Sequence, residues 1–75
     1  MKNFVEVIAR FDEAGQIIPL YIVFNNHNYK IDKIKEIIPA ASMKSGGIGL
    51  RYTCKINGQI RYLFLEDTHW FIDKE

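Results

Sequence analysis

The chain has 75 residues, a formal net charge of +1, 48% hydrophobic and 13% aromatic residues, a composition that argues against disorder and fits one domain, 1–75, with a thin core that buries roughly 60% of the unfolded surface. Its single cysteine, Cys54, excludes an internal disulfide and points to a reducing cytoplasm. Glu6, Arg10, Asp12 and Glu13 interrupt any signal-peptide core, and the longest uncharged run, Ala14 to Tyr29, is broken by Gly15, Pro19 and three asparagines, short of the roughly 20 apolar residues of a membrane span.

Phe4 to Phe11 alternates, with Val5, Val7, Ala9 and Phe11 on one face and Glu6 and Arg10 on the other, which predicts a half-buried strand. Asp12-Glu13-Ala14-Gly15 suits a type I turn closed by a left-handed residue and predicts a first hairpin into Gln16–Phe24. There Ile18, Leu20, Ile22 and Phe24 share a face, and Pro19 requires an edge position or a bulge. Asn25-Asn26-His27-Asn28 marks the next turn, before a third strand through Tyr29 and Ile31.

Residues 32–38 read as a continuing strand bulged at Asp32-Lys33, with a single short helical turn as the alternative, because Ile31, Ile34 and Ile38 also fit a helical spacing. Pro39 to Gly49, rich in small residues, reads as the one long connection and the most mobile segment, with its glycines supplying positive φ. Asn57-Gly58 is the strongest hairpin signal of the chain. Asp67-Thr68 ends the following strand, and His69–Ile72 closes the domain. The expected fold is all-β, a small SH3-like meander barrel of five to six strands.

A two-residue loop at Asn57-Gly58 sets Ile56 opposite Gln59, Cys54 opposite Arg61, Tyr52 opposite Leu63 and Leu50 opposite Leu65 on the core side. The other side then carries Arg51, Thr53, Lys55, Ile60, Tyr62 and Phe64, an aromatic and basic stripe. Residues 27–62 also hold a net charge of +5, against −1 for 1–26 and −3 for 63–75. Stacking rings plus phosphate-neutralising cations suggest a single-stranded nucleic acid held by Lys44, Arg51, Lys55, Arg61, Tyr62 and Phe64. The plainer alternative has Tyr62 and Phe64 covered by the closing strand, with Trp70 or Phe71 packed on them. A protein-interaction module or homodimer, using the same face or an edge such as Met1–Phe11, is the competing class.

Catalysis is not expected. Glu66, Asp67 and His69 straddle a turn with no fourth ligand at metal spacing. Ser42, Ser45, Asp67 and His69 lack a context that orients a nucleophile. Gly46-Gly47-Ile48-Gly49 lacks the Lys-Ser/Thr ending of a phosphate loop. Neither cofactor nor metal is therefore expected, and Cys54, on the core face, reads as inert.

Tyr29-x-Ile31-Asp32-x-Ile34, Ser42-x-Lys44-x-Gly46-Gly47-x-Gly49-x-Arg51-Tyr52-Thr53, Leu63-x-Leu65-Glu66 and Trp70-Phe71 together resemble a family of small all-β proteins from Gram-positive bacteria. The resemblance implies a free-standing cytoplasmic β domain and no particular activity.

Overall fold

Turn chemistry sets the strand pairing. In the computed structural model, which describes residues 2–41 and 48–73, Asn57 and Gly58 both take positive φ, 52° and 76°, as a type I′ turn requires. Ile56 therefore stands opposite Gln59. Asn25 and Asn26 repeat the device at 52° and 63°, which sets Phe24 opposite His27. In the first hairpin the Asp12 carboxylate accepts hydrogen bonds from the backbone N–H groups of Ala14 and Gln16 at 2.9 and 2.8 Å. The Asp12 carbonyl accepts one from the Gly15 N–H at 3.0 Å, and Gly15 is the expected left-handed residue at φ 84°.

At Asp67-Thr68, between the paired Glu66 and His69, Asp67 alone is left-handed, at φ 60°. A positive φ confined to the first central position is a type II′ feature and normally glycine's place. Asp67→Gly is accordingly expected to stabilise the fold by about 0.5 kcal/mol, relief of backbone strain outweighing the added chain entropy. The check is a higher urea midpoint at unchanged slope.

Seven strands are described: β1 (Lys2–Phe11), β2 (Ile17–Phe24), β3 (His27–Lys30), β4 (Lys33–Ala41), β5 (Ile48–Ile56), β6 (Gln59–Glu66) and β7 (His69–Asp73). They form one antiparallel sheet in the order β3-β2-β1-β7-β6-β5-β4. The sequence suggests five to six strands because Tyr29 to Ile38 reads as one bent strand. The structure divides it at Ile31-Asp32. The Ile31 N–H donates to the Leu20 carbonyl on β2 (2.9 Å) and the Asp32 N–H to the Lys55 carbonyl on β5 (2.8 Å).

That corner joins strands at opposite ends of the sheet order, so the sheet curls into a half-barrel. A second tie crosses the interior, where the Tyr52 hydroxyl donates to the Ile17 carbonyl at 2.6 Å. No helix forms among the described residues, so the helical turn suggested for 32–38 is absent. Pairing with β5 holds this segment extended, with Ile34 opposite Cys54 and Ile37 opposite Tyr52. The bulge falls at Lys35, between the Ile34 and Glu36 pairs, rather than at Asp32-Lys33.

The expected Pro39–Gly49 connection also shortens. Pro39, Ala40 and Ala41 pair with Leu50, Gly49 and Ile48, so both its ends belong to strands. Pro39 lies on an edge strand, where its missing N–H costs no ladder bond.

The core lies on the concave face: Ile22, Ile31, Tyr52, Cys54, Ile56, Leu63 and Trp70 are buried, with Val5, Val7 and Ala9 packed against them. Phe11, expected beside these three, is instead 74% exposed beyond the end of the core. On β2 the face shared by Ile18, Leu20, Ile22 and Phe24 is interrupted. Tyr21 opposes Ile8 while Pro19 opposes Ala9, which leaves Leu20 as a bulge. Across it the inward residues switch to Ile17, packed on the core, and the fully buried Pro19.

Candidate functional site

The expected outer stripe forms as a face but not as a free platform. Arg51, Thr53 and Lys55 lie opposite Phe64, Tyr62 and Ile60, as the turn dictates. Phe64 also pairs with Phe71 across β6 and β7, and their rings stack at 5.0 Å with 4° between planes. Phe4 meets Phe71 edge-on at 6.0 Å. The Arg51 guanidinium lies 4.9 Å from the Tyr62 ring centroid, and its Nη2 is 3.6 Å from Glu36 Oε1. Stacking and cation–π contacts within the fold thus already use ring surface that bases would need. Tyr62 and Phe64 are half-buried, while Lys55 and Ile60 are exposed. Lys44 lies outside the described residues, as do Ser42, Ser45, Gly46 and Gly47.

Arg61, opposite Cys54, belongs to the other face. Its Nη2 donates to Gln59 Oε1 at 2.8 Å, and both stand at the end of the concave side where the Asn57-Gly58 hairpin faces β2 and β3. There a recess of about 380 Å³ opens. Val5, Ile22, Ile56 and Ile72 wall it, Phe24 and Tyr29 form its lip, and Asn3, Asn57, Gln59 and Arg61 supply its polar groups. Phe24 is 54% exposed and Tyr29 37%, because β3 is a four-residue edge strand with nothing described outside it. The Asp32 carboxylate accepts the Asn57 N–H at 3.2 Å, so the β3–β4 corner fixes the hairpin that forms one wall.

The size and mostly apolar lining, with a few polar groups, are within the range of small-molecule cavities. Sequence reasoning missed it because its walls come from strands far apart in the chain. The one available signal was the cross-strand placement of Arg61 on the core side of the hairpin.

Cys54 is fully buried and free, and burial pushes its thiol from 9.0 up to about 11. The native protein should therefore resist Ellman's reagent at pH 8 and react when unfolded, a contrast read directly by absorbance. Below pH 9 the thiol is protonated in both folded and unfolded chains, so its contribution to stability is complete. Between pH 9 and 11 the unfolded chain alone releases the proton, and stability should fall by about 2–3 kcal/mol.

His69 lies edge-on to Phe4 at 6.0 Å, and among the described residues no group of three or more His, Cys, Asp or Glu side chains is arranged to hold a metal. Trp70 belongs to the core, its ring 5.5 Å from that of Tyr52.

The edge proposed for dimerisation is not available at β1, which lies between β2 and β7. The edges of the described sheet are β3 and β4. The first is short, and the second is guarded by Lys33, Pro39 and the bulge at Lys35. Exposed apolar side chains do occur on the outer face of β1 and β2, at Phe4, Ile8 and Tyr21. No helix among the described residues is long and apolar enough to cross a membrane.

No family model, curated protein or solved structure matches the chain.

Proposed function

We propose that the chain is a non-enzymatic binding module whose ligand site is the recess between the Asn57-Gly58 hairpin and the β2–β3 pair. One observation carries this: an open cavity of about 380 Å³ walled by valine and isoleucine, with two partly exposed aromatic side chains at its lip. A cavity of this size accepts a small molecule rather than a folded partner. The rigidity needed to hold its shape is supported by the Asp32–Asn57 hydrogen bond and the backbone ties at Ile31 and Asp32.

The test uses the uncharged fluorophore Nile red. Its fluorescence should rise saturably on titration with the protein. Combined Phe24→Ala and Tyr29→Ala substitutions should weaken binding by about tenfold, the effect of removing a substantial part of two apolar contacts, while Ile60→Ala on the outer face should leave it unchanged. Absence of saturation, or equal weakening by Ile60→Ala, would refute the assignment.

A second reading, single-stranded nucleic acid on the outer face, is favoured by the shared side of Arg51, Lys55, Tyr62 and Phe64. It is weakened by the contacts that already occupy those rings. It requires retention of a labelled oligonucleotide at low ionic strength that is lost as salt rises; absent or salt-insensitive retention eliminates it.

A further inference from the structure

We infer that the recess selects an amphipathic anion, a carboxylate with a single medium-length alkyl chain, whose head group is held by Arg61. The inference rests on the proposed use of the recess and adds the chemistry of its occupant.

Among the described residues four of the ten lining side chains are polar and only Arg61 is charged, so the described lining has a cationic pole and no acidic one. The Asp32 carboxylate directs an oxygen to the Asn57 backbone N–H. Among the described residues the guanidinium has one hydrogen-bond partner, Gln59, which takes a single N–H of its Nη2. A guanidinium carries five N–H donors in a planar fork, so the remaining donors can meet both oxygens of a carboxylate. Gln59 also orients the fork, since its oxygen accepts from one arm and lowers the rotational freedom of the other.

The rest of the cavity fits the remainder of such a ligand. Val5, Ile22, Ile56 and Ile72 offer a tail apolar surface, while Asn3 and Asn57 add side-chain amides to the lining. A cationic ligand would meet Arg61 with no compensating charge. An uncharged apolar ligand would gain nothing from the guanidinium, whose remaining donors would stay with water. Because Arg61 is exposed, its attraction acts across a partly hydrated gap, and the selectivity it gives is moderate and falls with salt.

The experiment displaces Nile red with decanoate, 1-decanol and decylammonium. Decanoate should displace at a concentration about tenfold lower than decanol, the advantage expected of a charge-assisted hydrogen-bonded pair, with decylammonium weakest. Arg61→Gln should erase the difference between decanoate and decanol, each compared at that variant's own Nile red affinity, and Arg61→Lys should restore part of it. Unchanged Trp70 emission would verify that each variant is folded. Equal displacement by decanoate and decanol, a preference for decylammonium, or an undiminished preference in Arg61→Gln would each overturn the head-group assignment while leaving the recess as the binding site. Failure of Nile red itself to bind removes the recess, which is a separate result.

Discussion

Tyr52→Ala should leave the domain largely unfolded at room temperature, and Tyr52→Phe should keep it folded but weaker by about 1–2 kcal/mol. Tyr52 is fully buried on β5, its ring lies 5.5 Å from that of Trp70 at 43°, and its hydroxyl ties β5 to β2 through the Ile17 carbonyl at 2.6 Å. Truncating a buried aromatic side chain costs about 3–5 kcal/mol. That matches the whole stability of about 3–5 kcal/mol that a single core of this size supplies. The phenylalanine variant keeps the packing and removes only the bond, leaving the Ile17 carbonyl without that donor.

The two losses separate in urea unfolding followed by Trp70 fluorescence. Burial first of all raises the Tyr52 hydroxyl above its ordinary 10.0, Gln16 lowers it by less, and Cys54 adds the smallest contribution, a further raise. Its neutral form therefore supports the fold fully below pH 10, and that support is lost as pH rises through the higher folded value. Tyr52→Phe should lack this part of the alkaline decline.

Gly49→Ala should destabilise the fold by about 2–3 kcal/mol, the upper range for forced overpacking. A methyl group at Gly49 would sit 2.6 Å from the Leu65 carbonyl oxygen and 3.2 Å from that of Ala40. Both neighbours are backbone atoms of the flanking strands and cannot rotate away, so β4, β5 and β6 must part at that end. The expectation that this glycine supplies a positive φ is corrected by the structure: Gly49 is not among the positive-φ residues, and its requirement is close approach of three strands. Gly58→Ala is the useful comparison, because no atom lies within 4 Å of its added methyl and only the φ of 76° opposes it. That substitution should cost about 1 kcal/mol. A Gly49→Ala loss no larger than that of Gly58→Ala, measured in the same denaturant series, would count against the steric account.

The register of β5 and β6 was legible residue by residue because a two-residue turn is a local device: Asn57-Gly58 alone determines that Arg51 faces Phe64 and Cys54 faces Arg61. The first hairpin was legible for the same reason, through Asp12 and Gly15. What sequence could not supply was long-range. Tyr29 to Ile38 reads as one strand until Ile31 and Asp32 send their N–H groups to different strands. No local preference distinguishes a bulge at Lys35 from one at Asp32-Lys33. The candidate site follows the same division. The sharing of a face by Arg51, Lys55, Tyr62 and Phe64 was foreseen, but the stacking of Phe64 on Phe71 depends on which strand neighbours β6. Arg61 was grouped with the outer cations by charge, although the pairing already placed it opposite Cys54, and only the curl of the sheet turns that inner position into the rim of a recess.

The functional account therefore rests on the concave end, and the most direct measurement is a ¹H–¹⁵N correlation titration of the labelled chain with decanoate. Saturable shifts should concentrate at the backbone amides of Val5, Ile22, Phe24, Tyr29 and Ile56 and at the Arg61 side-chain N–H. Shifts confined to Arg51, Tyr62 and Phe64, or drifting in proportion across the whole spectrum without saturation, would contradict a ligand site in the recess.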